Sequence, residues 1–412
     1  MTSKIGWHFL RHLRKVWVRV VSFALLAVVS AIIAQAIAPL IPSAWAVKIG
    51  TDSVDLVLNI LATTMLAVTT FSLSIATSAF AAAASTATPR ATALLQEDPT
   101  AQNVLATFLG AFLFGLVGII ALQAGYYTDK GRLVLFVTTA FVIAAVVVAL
   151  LRWISHLMTF GRMGDTLDRV EAAAVTSLER RLKTPFLGGR PIEGSIPSDS
   201  LPVFSDRTGY IQHVDLGQLQ ACADDLKIEV WLSVLPGAFV HEASVLCHVT
   251  RQVDADALQQ LRSAFTDGAE RNFDQDPRFG LIVMAEIASR ALSPAINDPG
   301  TAISVVGRLV RILAQWKDNP VADIEHESVF VPPLQPADLI DDAFRPIVRD
   351  SAEIYEVHVR IQKALRALAV ISPKVFGTPT SAMVAEAMSR AEENLTSDEY
   401  RLLSQVNSVA LR

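Results

Sequence analysis

The sequence predicts a polytopic α-helical membrane protein of four transmembrane helices, followed by a cytoplasmic α+β domain. Two observations carry that fold class. Of 412 residues, 52% are hydrophobic and only 18% charged, against roughly 25% charged in soluble domains. Four apolar stretches fall within the first 152 residues, at 17–40, 54–84, 101–126 and 133–151. Each reaches or approaches the ~20 residues that carry a helix across hydrocarbon, and their interiors hold no Asp, Glu, Lys or Arg. After residue 209 a short-range alternation takes over, which is the β part of the α+β reading.

The elements follow in order. The first stretch is long for a cleaved leader. Although "AWA" at 44–46 resembles a cleavage site, the apolar run exceeds the ~7–15 residues of a signal sequence. Orientation comes from charge. Lys4, Arg11, Arg14, Lys15 and Arg19 lie at or before the start of the first stretch, and Arg152, Arg162 and Arg169 follow the fourth. Lys130 and Arg132, in the short loop before the fourth stretch, are a mild exception. Cationic loops stay on the cytoplasmic side, so both termini are expected inside a bacterial plasma membrane. The four-helix membrane domain then occupies 1–152.

Residues 153–183 form an amphipathic stalk helix, with Leu167, Val170, Ala174, Leu178 and Leu182 three or four apart. A Pro-, Gly- and Ser-rich stretch at 184–209 reads as a linker or long loop. It opens a small β-containing module (184–253), in which "KIEVWLSV" puts Ile228, Val230, Leu232 and Val234 on one face. Residues 254–412 read as mainly helical, and "TSDE" at Thr396–Glu399 fits a capping box.

Several functions are excluded or disfavoured. A net charge of −5 gives no basic nucleic-acid surface. Cys222 and Cys247 are too few for a disulfide framework. "HEASVLCH" at 241–248 groups His, Glu, Cys and His, yet a zinc-protease helix needs His at i and i+4, and Val245 stands there. Alternation along a strand also sends Cys247 and His248 to opposite faces. No nucleophile elbow, P-loop or dinucleotide fingerprint occurs, so no metal or cofactor is expected, and an enzyme on a membrane stalk would need a pocket with convergent polar groups in the cytoplasmic part.

Two groups of residues remain as candidates. In the second stretch Asn59, Thr63, Ala67, Thr70, Ser74, and Thr77 or Ser78 recur at three- and four-residue steps, which places them on one helix face. Lipid stabilises such a face poorly. The ordinary reading is close helix packing; the functional one is a water-lined path for ions or small solutes. Ionisable groups inside the membrane would mark a proton-coupled carrier, and none lies in these spans. Ala111, Gly115, Gly118 and Gly125 give the third stretch a small-residue face that suits packing.

The second group lies in "SRALSPAINDPGTAISVVGRL", residues 289–309. Pro294 ends one helix, because the residue before proline avoids the α region. Asp298 caps the next, with Pro299 at its first position. Asn297 and a Glu286/Arg290 pair are left unexplained by capping, and could hold either the turn or an anion.

The run 273–309, with "LPGAFV" upstream, resembles a bacterial family of membrane proteins known as domain of unknown function 2254. "STATPRATALL" after the second stretch is similar to that family's Ser-Pro-Arg segment, with Thr88 in place of the Ser. The resemblance covers nearly the whole chain. It implies four spans and a cytoplasmic domain, and brings no activity, ligand or catalytic residue. The expected partners are therefore the bilayer and further copies of the chain. An oligomeric conduit and a membrane-anchored sensor or scaffold stand as the two functional readings.

Overall fold

The computed structural model describes residues 51–96, 98–317 and 323–409, together with scattered positions between 18 and 33. The expected first span lies largely outside the described residues. Two compact units are present, one made of Met1–Ser85 and Thr92–Asp165, the other of Thr86–Ala91 and Thr166–Arg412.

The membrane unit is built from α1 (Thr51–Thr86), most of α2 (Pro89–Gln96), α3 (Pro99–Gln123) and α4 (Asp129–Leu157). Among the described residues three segments are long and apolar enough to cross a membrane: Val54–Ser85, Pro99–Gln123 and Gly131–Leu157. They coincide with the second, third and fourth apolar stretches. Their shared core gathers Leu58, Leu61 and Met65 of α1, Phe108, Ala111 and Phe114 of α3, and Leu135, Val142 and Trp153 of α4.

Glycine sets how closely α1 and α3 approach. A Cβ on Gly115 would stand 3.2 Å from both Ala62 Cβ and the Leu58 carbonyl oxygen. One on Gly118 would stand 3.2 Å from a Leu58 methyl. These small residues allow backbones to pack at short range where lipid supplies no hydrophobic drive. Gly125 has a different task. It lies beyond α3 at φ 70, where the Tyr126 N–H returns to Ala121 O at 3.0 Å, a left-handed helix terminus that glycine favours.

The second unit is a C-terminal α/β region. It contains α5 (Met163–Lys183), β1 (Gly189–Pro191), β2 (Leu201–Phe204), β3 (Gly209–Val214), α6 (Leu216–Leu226), β4 (Val230–Leu232), β5 (Phe239–Val240), β6 (Val245–Val249), α7 (Ala255–Ser263) and β7 (Phe265–Gly268). There follow α8 (Pro277–Leu292), α9 (Pro299–Leu313), β8 (His326–Val331), α10 (Pro336–Asp350), α11 (Tyr355–Ile371), α12 (Pro373–Asn394) and α13 (Ser397–Val409).

A five-stranded sheet runs β1-β8-β4-β6-β2, with β8 parallel to both β1 and β4 and the other pairs antiparallel. A three-stranded antiparallel sheet runs β5-β3-β7. Val230, Leu232, Cys247, Val249, Val329 and Val331 share one core with Leu216, Leu219 and Leu261 of α6 and α7.

Two expectations need correction. The stretch 184–209, expected as a linker or long loop opening the β-containing module, contributes β1 and β2, the two edges of the larger sheet. Strands of three and four residues are too short to show a period, and Pro202 suits only an edge. Residues 254–412, expected as mainly helical, also include the strands β7, whose "FTDG" carries one buried apolar residue, and β8.

The helix α5 is built into this second unit. Thr166, Leu167, Val170, Ala174, Ser177, Leu178 and Arg181 form its buried face. A Cβ on Gly280 of α8 would lie 2.4 Å from Ala174 Cβ and 2.8 Å from its Cα. The two helices therefore touch backbone to backbone.

Candidate functional site

The first candidate is the polar face of α1. Asn59, Thr63, Thr70, Ser74, Thr77 and Ser78 are all exposed, while Val54, Leu58, Leu61 and Met65 on the other side enter the core. Most of the hydroxyls are satisfied within the helix. Thr63 donates to Asn59 O at 2.7 Å, Thr70 to Ala67 O at 2.9 Å, and Thr77 and Ser78 both to Ser74 O at 2.9 Å. Such back-bonding removes the cost of an unmet donor in an apolar medium. What remains outward is acceptor capacity, two lone pairs on each oxygen. The Asn59 amide and the Ser74 hydroxyl have no side-chain hydrogen bond among the described residues.

The second candidate is the α8–turn–α9 corner. Asp276 caps α8 by accepting from the Arg278 N–H at 3.1 Å. At the far end Ser293 stops the helix in an extended conformation at ψ 147. The turn is closed by its own backbone: Asn297 N donates to Ser293 O, and Asp298 N to Ala291 O, both at 2.8 Å. Asn297 sits at φ 50, a left-handed position that Asn tolerates better than most residues. Asp298 is the N-cap of α9, accepting from Thr301 N at 3.0 Å and Thr301 Oγ1 at 2.6 Å. Those two hydrogen bonds, the hydroxyl first, hold its carboxyl below the ordinary range. Capping and backbone geometry thus account for both residues, and the tip from 294 to 298 is exposed.

Glu286 finds its cation far away in sequence. Its Oε1 accepts from Arg90 Nη1 at 2.8 Å, and its Oε2 is buried without a partner among the described residues. Arg290, one turn on, is half-buried. The structure therefore joins the "TPRA" segment after the second span to the α8 stripe. Nothing in local spacing paired Arg90 with Glu286, because the two lie 196 positions apart.

Two further ion clusters were equally hidden. Arg308 Nη1 donates to Asp168 Oδ1 and Glu171 Oε2, and Arg311 Nε and Nη2 to both Glu171 oxygens, all between 2.5 and 2.8 Å. Burial alone would raise the Glu171 carboxyl, but the hydrogen bonds from Arg311 and Arg308 keep it low. Arg278 grips Asp342 through Nε and Nη2 and Asp338 through Nη1, fixing α8 to α10.

The His/Cys stretch at 241–248 divides as a strand should. Cys247 is fully buried, and burial pushes its thiol up to about 12. His248 faces the other way, with Nδ1 3.0 Å from Ser233 Oγ. His241 Nδ1 accepts from the Ala243 N–H. No group of three or more His, Cys, Asp or Glu is placed to hold a metal among the described residues.

Three long apolar helices and a C-terminal α/β region define a mostly helical membrane protein. The chain belongs to the family described as "Predicted membrane protein (DUF2254)", whose sequence model matches residues 14–367. Similar chains include an uncharacterized protein of Mycobacterium bovis and another of Mycobacterium tuberculosis. Each is 31% identical over 223 residues, covering 52% of this chain and 42% of the relative's own length. The match thus spans less than half of those relatives. No solved structure matches the chain significantly.

Proposed function

We propose that this chain forms a homo-oligomer in a bacterial inner membrane, in which the polar faces of α1 converge on a passive path for water or small cations. Both termini face the cytoplasm in this reading, in keeping with the cationic flanks of the first and fourth stretches. One observation carries it. On the single chain the polar residues from Asn59 to Ser78 are exposed, and among the described residues the Asn59 amide and Ser74 hydroxyl have no side-chain hydrogen bond.

An unmet amide in hydrocarbon costs several kcal/mol, roughly 4–8 on a cyclohexane reference, so water or a second copy is the better neighbour. Donors along the face are mostly spent on backbone carbonyls, which leaves a ladder of acceptor oxygens. Such a ladder favours water and cations over anions. The C-terminal unit would assemble or gate the path.

The test is flux from proteoliposomes holding the full chain. Potassium or water flux should appear, and should fall in Thr70→Val/Ser74→Val. Absence of flux from the wild type removes the conduit. The sensor or scaffold reading then takes its place, supported by the exposed 294–298 tip and by the Arg90–Glu286 pair that holds the start of α2 to α8.

A further inference from the structure

The close crossing of α5 and α8 brings a buried cation to the start of α8. Ala174 presses on Gly280. Ser177 and Arg181 follow on the same face of α5, three and seven residues later, which is helical spacing. Both are buried, Ser177 at 3% and Arg181 at 4% exposure. The neighbouring Arg180 donates to the Asp274 carbonyl, which holds the end of α5 against the 274–276 segment.

The charges here do not balance. The carboxylate that acts on Arg181 is Asp276, and it is already committed. Its Oδ2 takes Arg271 Nε and Nη2, each at 2.7 Å, and its Oδ1 takes the Arg278 N–H at 3.1 Å. Arg181 has no carboxylate within 4 Å among the described residues. It makes one long contact, Nη2 to Gln275 O at 3.5 Å. Its Nε and Nη1, and the Ser177 hydroxyl, are buried with no partner. Two guanidiniums and one carboxylate leave one positive charge, and the N-terminal dipole of α8 adds to it. Burial draws the Arg181 pKa down to about 10 against the opposing pull of Asp276. A buried charge without a counter-ion is strongly destabilising, and orphaned buried donors point to an unseen water or ion.

We propose that Arg181 and Ser177 bind a small monovalent anion, chloride in kind, beside the N-terminal end of α8. One negative charge closes the local balance, whereas phosphate or sulfate would overshoot it. The donor atoms are also closed to solvent, which excludes the carboxylate of a larger metabolite. The site is separate from the α1 face and does not depend on conduction.

The experiment uses the full chain in detergent, with thermal unfolding followed in sodium chloride and in sodium gluconate at equal ionic strength. Chloride should raise Tm saturably, as expected for a ligand bound only by the folded state. The rise should vanish in Arg181→Leu, weaken in Ser177→Ala, and persist in Arg349→Leu, where the exposed arginine is paired with Asp350. Equal midpoints in the two salts, or a chloride response that survives Arg181→Leu, overturns the proposal. If Arg181→Leu does not fold, crystals of the wild type grown in bromide decide the matter. An anomalous peak against Arg181 Nε and Nη1 supports the site, and a water bridge to Asp276 in its place overturns it.

Discussion

Replacing Gly280 with alanine tests the α5–α8 contact on which the second unit depends. The added methyl would lie 2.4 Å from Ala174 Cβ and 2.8 Å from Ala174 Cα. Carbon atoms rest at about 3.5–4.0 Å, so the helices must separate by roughly 1 Å. The obstacle includes backbone, and no rotamer change can relieve it. Overpacking of this kind costs about 1–3 kcal/mol, and the backbone contact puts it near the upper end. Alanine's better helix propensity returns about 1 kcal/mol. The net expectation is a loss of about 2 kcal/mol, which is roughly 4–8 °C in Tm for a unit of this size.

The assay is thermal unfolding of the full chain in detergent, with Ala174→Gly and the double variant completing a cycle. Ala174→Gly removes the contact at 2.4 Å and leaves the one at 2.8 Å. The double variant should therefore be more stable than the sum of the singles predicts, without full recovery. A Gly280→Ala protein as stable as the wild type, or more stable, would refute the backbone contact.

Two further outcomes follow from the second unit. Asp298→Ala removes both Thr301 hydrogen bonds at the start of α9 and should cost about 1 kcal/mol. Loss of flux at unchanged Tm would instead give the turn a functional role. The Glu171 carboxyl is held below its ordinary 4.5 by Arg311 and Arg308 despite the raising effect of burial. A carboxyl lowered on folding contributes fully above its unfolded pKa, and the contribution drains as pH falls through the folded value. Tm of the wild type should thus drop on acidification below about pH 5. Glu171→Gln should begin less stable at neutral pH and lose less over the same range, and parallel curves for the two proteins would contradict the pairing.

How far the sequence carried depended on the distance between interacting residues. The second, third and fourth apolar stretches declared themselves because hydrocarbon demands a continuous apolar run, which neighbours in sequence can show. The caps at Asp298 and Thr396 were readable for a similar reason, since each bonds within three residues. The strands β1, β2 and β7 were not readable. Each takes its place from a partner elsewhere in the sheet, as Arg190 does from Phe330. Local spacing gave no sign that Arg90, Arg308 and Arg278 pair with Glu286, Glu171 and Asp342.

The sequence by itself determined the second, third and fourth apolar helices and the helix starts at Asp298 and Thr396, because these are settled within a few turns of chain. Only the tertiary structure decided that the α1 hydroxyl face lies exposed on the single chain. Only it decided that Gly280 admits Ala174, and that Arg181 is buried without a carboxylate of its own. Those facts arise from pairs of residues many positions apart, and local spacing holds no record of which surfaces will meet.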